Sequence, residues 1–132
     1  MMIGLLEEIH RGKRISDEAR AAMLEHLKHC DDRDKFTRLL PAGTVVAHKT
    51  GAVERVRTDA GLMYLPDGSV ALCVLTSENE DTSWRTDNEG NLPCARIARA
   101  VYDHFRRVQD GTTDQSSADR AAKRVPGQET ER

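Results

Sequence analysis

The feature that most constrains the fold is a pair of strand-like segments joined by a tight turn, at residues 56–76. The segment "VRTDAGLMYL" ends in four apolar residues, "SVALCVLT" is almost continuously apolar, and Pro66-Asp67-Gly68 lies between them. Proline presets φ and glycine accepts a positive φ, so the triplet predicts a turn and the two segments predict an antiparallel hairpin. Because the run from Val70 to Leu75 does not alternate with polar residues, both of its faces should be covered.

One more strand and three helices are predicted around this hairpin. The strand "TVVAHKT" precedes it, and two helices precede that strand, the first ending at Gly12 and the second capped by Ser16. A last helix, capped by Asn91, follows a polar loop. The second helix is predicted to bury Ala19, Met23, Leu27 and Cys30, and the last helix to bury Cys94, Ile97, Ala98, Val101 and Phe105.

The predicted order of elements defines the fold class as α/β of the α+β type, with three antiparallel strands packed against helices. The 132 residues are enough for one domain. After residue 107 the sequence loses almost all of its large apolar side chains. It therefore predicts a folded domain over residues 1–107 and a disordered polar tail over residues 108–132.

The triplet Lys49-Thr50-Gly51 closes the first strand with a cation, a hydroxyl and an unobstructed backbone. An ammonium and a hydroxyl can together bind a carboxylate, and glycine lets an extended ligand lie against the strand. The next amide, Ala52 N–H, could then donate to a carbonyl oxygen of that ligand as in an oxyanion hole. Taken alone the triplet is a weak signal, since most such triplets are surface strand ends.

The surrounding sequence resembles the C-terminal half of class A β-lactamases and related penicillin-recognising serine hydrolases. The resemblance covers about residues 1–107, and it is carried in the family's order by "LLEEIHRGKRISDEARAAMLEHLK", "RLLPAGTVVAHKTG", "RTDAGLMYLPDGSVALCVLT" and "ARIARAVYDHF". The lead-in "LLPAG", the strand and K-T-G form the most specific piece. Thr58 stands where the family has an asparagine, which is a mild departure.

This resemblance implies a five-stranded antiparallel sheet with helices on both faces, of which the chain lacks the first two strands. Those strands would continue the sheet beyond the strand at residues 69–76, which here would keep an open edge. The resemblance also implies that Lys49 and Thr50 anchor a substrate carboxylate, with Ala52 N–H as half of the oxyanion hole. Arg57 matches an arginine that assists carboxylate binding in some members, although a solvated surface arginine is an equal alternative.

The catalytic part of that family's site is missing from the sequence. None of the six serines has a lysine three residues later, so S-x-x-K is absent, and S-D-N is absent too. Thr86-Asp87-Asn88 imitates S-D-N but follows K-T-G, whereas the family's element precedes it. Two interpretations therefore remain: a β-lactam hydrolase represented only by its K-T-G half, and an inactive remnant that acts as a binding or complementing partner of a chain carrying S-x-x-K.

Composition and the remaining motifs narrow the partners. Twenty basic and 22 acidic residues give a net charge of −2, which does not favour nucleic acid. No apolar run is long enough to span a membrane, and the chain as written lacks a signal peptide, so a cytoplasmic location is expected although a full-length parent would be exported. His26 and Cys30 at i, i+4 make a poor metal site, and no cofactor is expected. The expected ligands are a β-lactam or related carboxylate-bearing substrate in an intact parent and a complementing N-terminal half.

Overall fold

A computed structural model describes the backbone of residues 1–12 and 14–122. Residues Met1–Tyr102 form one compact unit and Asp103–Arg132 a second. The elements follow the predicted order, and their bounds are α1 (Met2–Arg11), α2 (Asp17–Lys28), β1 (Val46–Val53), β2 (Val56–Leu65), β3 (Gly68–Thr76) and α3 (Asn91–Ala122). None of the helices described is both long and apolar enough to cross a bilayer.

The three strands form one antiparallel sheet in the order β1-β2-β3. Val53 pairs with Val56, so the first hairpin closes through the two residues Glu54 and Arg55. Leu65 pairs with Gly68, which confirms the predicted turn through the proline and aspartate between them. In the part of the chain that the structure describes, β1 and β3 are therefore both open edges.

The sheet is covered by helices and by the segment before β1, and each face has its own apolar cluster. One cluster joins β1 and β2 to α3 and consists of Phe36, Val46, Met63, Cys94 and Ala98. The other consists of Leu6, Ala47 and Leu62, with Leu24 and Leu27 of α2 packed against it. The α+β architecture predicted from the sequence is confirmed.

Burial along α2 and α3 differs from the predicted stripes. Met23 is 43% exposed and Leu24 packs in its place, and Ile97 is 41% exposed. Both helices lie over a sheet of only three strands, so each buries a narrower stripe than the helical pattern offers. Strand β3 sends side chains to both clusters, but none of them is fully buried, because β3 lies at the edge of the sheet.

The predicted caps of α1 and α2 are confirmed, but that of α3 is not, because Asn91 is the first residue of the helix and its side-chain oxygen has no hydrogen-bond partner among the described residues. Gly12 ends α1 with φ 65°, and its N–H donates to the Glu8 carbonyl. Ser16 begins α2, and its hydroxyl accepts from Ala19 N at 3.2 Å. These local contacts fix where α1 and α2 start and stop, and therefore how both helices lie against the sheet.

The last helix runs past residue 107, where the sequence predicts the folded domain to end. Helix α3 continues to Ala122, whereas the sequence predicts a disordered tail from residue 108. The last part of that prediction, residues 123–132, lies outside the described residues. Residues 109–122 contain no leucine, isoleucine, valine or aromatic residue. The domain division at residue 107 stays a prediction.

Candidate substrate-anchoring site

The register of the first hairpin decides which backbone groups of β1 are free. Tyr64 N donates to Val45 O at 3.0 Å, just before the strand begins, and the closing pair is Val53 with Val56. In an antiparallel pair the bonded positions alternate, so odd-numbered β1 residues bond to β2 and even-numbered ones direct their N–H and C=O groups outward. The backbone groups of Thr50 and Ala52 therefore face the open edge of the sheet.

Lys49 and Thr50 lie together at that edge. Both line a cavity of about 440 Å³ next to the end of α2. Lys49 is exposed, and its Nζ donates to the Thr50 carbonyl at 2.7 Å, an outward-facing acceptor. The structure thus brings the predicted cation and hydroxyl to one solvent-open cavity, although the two side chains leave opposite faces of the strand.

A carboxylate already contacts the Thr50 side chain. Asp32 accepts from Lys35 Nζ at 2.6 Å and from Asp34 N at 2.9 Å, and it is hydrogen-bonded to the Thr50 side chain. Burial alone would raise the pKa of Asp32, but these three hydrogen bonds outweigh it and hold the pKa below its usual value. Sequence analysis missed this network, because Asp32 lies in a polar loop with no regular spacing to the strand.

Gly51 pairs with Thr58 across the hairpin. A Cβ at position 51 would lie 2.6 Å from the Thr58 hydroxyl oxygen, so a larger residue would require that side chain to move. The glycine is thus fitted to its cross-strand neighbour as well as leaving the strand edge open.

The structure does not bring Arg57 to the two anchors. Its guanidinium is 1% exposed, donates to Val53 O and to Ser83 O, each at 2.7 Å, and lies 5.0 Å from the centre of the Trp84 ring. The alternative of a solvated surface arginine is wrong, because these carbonyls and the indole enclose it. Arg57 ties the β1–β2 turn to the loop before α3, and its role at a substrate carboxylate stays a prediction.

A buried histidine–aspartate pair supports the site from within. His48 Nδ1 lies 2.9 Å from Asp59 Oδ1, and Asp59 Oδ2 accepts from Phe36 N at 3.0 Å. Both side chains are at most 1% exposed, and Gly61 leaves the space that His48 occupies opposite it. Sequence analysis missed the pairing of His48 with Asp59. The hairpin register would have indicated this pairing. Asp59 pairs with Thr50, and Thr50 lies two residues from His48 on the same face of the sheet.

Two other motifs have structural places. Asn88 of Thr86-Asp87-Asn88 is fully buried, and its side chain donates to Asp81 O and Ser83 O. The segment that resembles S-D-N therefore stabilises the loop in which it lies. His26 and Cys30 line the same cavity as Lys49. Among the residues described, no three His, Cys, Asp or Glu side chains are grouped so that they could hold a metal ion.

An edge strand that carries Lys-Thr-Gly in its middle, on an antiparallel sheet covered by helices, is the arrangement expected of the K-T-G strand of penicillin-recognising enzymes. The sequence profile of the β-lactamase enzyme family matches residues 1–105, and the chain belongs to that family. The structural likeness is to class A members of it.

Named relatives agree with this assignment. The chain is 40% identical over 83 residues to a β-lactamase of Bacteroides uniformis, covering 55% of this chain and 26% of the relative. It is 30% identical over 105 residues to the extended-spectrum β-lactamase PER-1 of Pseudomonas aeruginosa, covering 74% of this chain and 33% of the relative. A solved β-lactamase of Chitinophaga pinensis superposes with a TM-score of 0.67 at 33% identity, covering 79% of this chain and 40% of that one. The chain thus spans about a quarter to two fifths of the length of these relatives.

Proposed function

We propose that this chain supplies the carboxylate-anchoring strand of a β-lactamase-type site, in which a serine from another segment forms the acyl intermediate. Lys49 and Thr50 bind the carboxylate of a β-lactam or related substrate, for which the Thr50 hydroxyl turns from Asp32 to the substrate. Ala52 N–H donates to the carbonyl oxygen that becomes negative during attack. The observation that carries the proposal is the juxtaposition of an exposed ammonium, a hydroxyl and outward-facing backbone groups on one open strand edge.

The open edge of β1 orients an extended substrate, and Lys49 binds its carboxylate. The outward-facing N–H and C=O groups of Ala52, together with the Thr50 N–H, can pair with an extended substrate as a neighbouring strand would. With the carboxylate held at Lys49, the reacting carbonyl then lies further along β1, beside Ala52. The buried His48–Asp59 pair lies directly under this part of the strand, and it limits the movement of the anchors.

The chain by itself is expected to be inactive, because it contains no S-x-x-K serine. One oxyanion donor contributes about 10²–10³ in rate, whereas losing a nucleophilic serine costs on the order of 10⁶. Retaining the anchors cannot offset that loss. The purified chain should therefore not hydrolyse a chromogenic cephalosporin above the buffer rate, and turnover that disappears on Lys49→Ala would contradict this.

The anchoring role can be tested in a chimera. The part of the Bacteroides uniformis β-lactamase that precedes its matched region is joined to this chain in one polypeptide, and cephalosporin turnover is measured. Lys49→Ala should lower kcat/KM by about 10- to 100-fold, as expected for a lost hydrogen bond to a charged group. Lys28→Ala, which removes a lysine outside the anchor cavity, is the matched control. Equal activity of an active chimera with and without Lys49 would refute the proposal.

A further inference from the structure

The cavity of about 440 Å³ beside Lys49 and Thr50, which we call the anchor cavity, has carboxylates in its wall. Asp31 and Asp32 line it together with the two anchors. Asp31 is exposed and Asp32 is half-buried. A substrate whose carboxylate is bound by the anchors would therefore lie next to two acidic side chains.

One of these carboxylates already holds the anchoring hydroxyl. Asp32 is hydrogen-bonded to the Thr50 side chain, and it accepts from Lys35 Nζ at 2.6 Å and from Asp34 N at 2.9 Å. Lys35 is buried and does not line the cavity, so it fixes Asp32 from behind the wall. A substrate carboxylate that approaches Thr50 meets a fixed like charge, and the two repel each other.

The four charged side chains at the cavity balance when no substrate is bound. Asp31 and Asp32 are matched by Lys49 in the wall and by Lys35 behind it. A substrate with a single carboxylate adds one negative charge to this balanced set. A substrate that also carries a cation next to its carboxylate restores the balance, so the cavity favours it.

The position of the anchor cavity on β1 decides which part of a substrate enters it. The cavity reaches Lys49 and Thr50 but not Ala52, beside which the reacting carbonyl is proposed to lie. The group that enters is therefore on the carboxylate side of the substrate, away from the bond that is broken. In a cephalosporin this group is the substituent at C3, next to the carbon that carries the carboxylate.

His48 adds an unpaired acceptor to the same wall. It lines the anchor cavity, and its Nδ1 lies 2.9 Å from Asp59 Oδ1. Nε2 is buried and has no hydrogen-bond partner among the described residues. Because Nδ1 donates to the carboxylate, Nε2 is left as an acceptor, which a neighbouring positive charge stabilises and a negative one does not.

We propose that the anchor cavity selects zwitterionic substrates, in which a cation lies next to the carboxylate that Lys49 and Thr50 bind. Asp31 and Asp32 are the residues that determine this specificity. The proposal rests on the proposed function, because the substituent enters the anchor cavity only when Lys49 holds the substrate carboxylate.

A second cavity offers a neutral substituent an alternative place. It has a volume of about 320 Å³ and is also lined by Lys49, but its wall is mostly apolar and includes Leu5, Leu6 and Leu75. Burying a charge against such a wall is unfavourable. The two cavities therefore predict opposite orders of affinity for a cationic and a neutral substituent.

The experiment compares two cephalosporins that share one 7-acylamido group and differ only at C3, where one carries a pyridiniomethyl cation and the other a neutral acetoxymethyl group. Each is titrated into the full 132-residue chain, and the dissociation constants are measured from the NMR shifts of the Thr50 and Gly51 amides. The cationic compound should bind about 3- to 10-fold more tightly, as expected for unit charges about 6 Å apart in a cavity open to water. The ratio should approach one at about 1 M salt.

Variants assign the preference to the wall. Asp31→Asn and Asp32→Asn should each lower the ratio of the two dissociation constants by at least about twofold. Asp31 is exposed and has no part in the hydrogen bonds of Asp32, so Asp31→Asn keeps the test valid if Asp32→Asn does not fold. Asp67→Asn is the matched control, because it removes one carboxylate from an exposed turn that does not line the cavity. It should leave the ratio unchanged.

The charge preference is overturned if the two cephalosporins bind alike, if the neutral one binds more tightly, or if Asp67→Asn lowers the ratio as much as Asp31→Asn does. Lys49→Ala separates this proposal from the anchoring function. If both compounds lose affinity on Lys49→Ala but bind the unaltered chain alike, the anchoring function stands and the charge preference fails. If neither compound shifts the two amides, or if Lys49→Ala changes neither affinity, the anchoring function fails and the charge preference fails with it.

Discussion

Removing the carboxylate of Asp59 should destabilise the fold more than any surface change. Asp59 is fully buried and is the acceptor for two groups, Phe36 N and His48 Nδ1. Asp59→Ala leaves both of them buried without this partner, at about 1–3 kcal/mol each. The expected loss is therefore about 2–6 kcal/mol, a range that includes the cost of breaking a buried pair, out of a total of about 5–15 kcal/mol for a domain.

The assay is urea unfolding at pH 7 followed by far-UV circular dichroism. Asp59→Asn keeps an acceptor for Phe36 N and should lose less, about 1–3 kcal/mol. Asp67→Ala, in the exposed β2–β3 turn, is the control and should change stability by no more than about 0.5 kcal/mol. A double-mutant cycle with His48→Ala should give a coupling of about 1–3 kcal/mol.

The reasoning is refuted if Asp59→Ala loses less than about 1 kcal/mol with an unchanged m-value, since two buried orphaned donors cannot cost so little. It is also refuted if the cycle gives no coupling, because the contact between His48 and Asp59 would then contribute nothing to the folded state.

Three further predictions follow from the site and the core. Gly51→Ala should cost about 0.5–1.5 kcal/mol, because Thr58 must leave its rotamer, and Thr58→Ala should remove most of that cost in urea unfolding. Burial raises the pKa of Cys94 to about 11, so at pH 8 this thiol should react with iodoacetamide far more slowly than Cys30, and equal rates in mass-spectrometric mapping would contradict the burial. The hydrogen bonds to Asp32 make its pKa lower in the folded state than in the unfolded one, so its stabilising contribution is present above the unfolded pKa and is lost as pH falls through the folded value. Asp32→Asn should therefore destabilise the chain at pH 7 but not at the lowest pH where it stays folded, and a pH-independent difference would contradict this.

The β2–β3 hairpin and the caps of α1 and α2 were predictable because their signals are local. Pro66-Asp67-Gly68 and Ser16 act within a few residues of themselves, so the bounds of β2, β3 and α2 follow from short stretches of sequence. Which face of a helix is buried depends on the neighbouring elements instead. Met23 and Leu24 both fit a helical stripe, and only the contacts of α2 with α1 and the sheet select Leu24.

The place of Arg57 could not be predicted for a related reason. Its guanidinium is held by Ser83 O, 26 residues further along the chain, and by the Trp84 ring. Nothing near Arg57 in the sequence indicates that the loop before α3 folds back over it. The proximity of Lys49 and Thr50 was easier to predict, since consecutive residues of one strand stay together in any fold that keeps the strand.

The two-residue turn at Glu54 and Arg55 determines which residues of β1 bond to β2 and which face the open edge. Outward-facing amides fall on even-numbered residues of β1 because two residues separate the closing pair, Val53 and Val56. Suppose that one residue is inserted or deleted in this turn, that β2 keeps its pairing with β3, and that a two-residue turn re-forms. Strand β1 then shifts by one residue against β2. Its bonded and free positions are exchanged, and Ala52 N–H turns towards β2. Changes of two residues preserve the pattern. Length variation at this turn is therefore compatible with the anchoring edge only in steps of two, unless a β-bulge absorbs the odd residue.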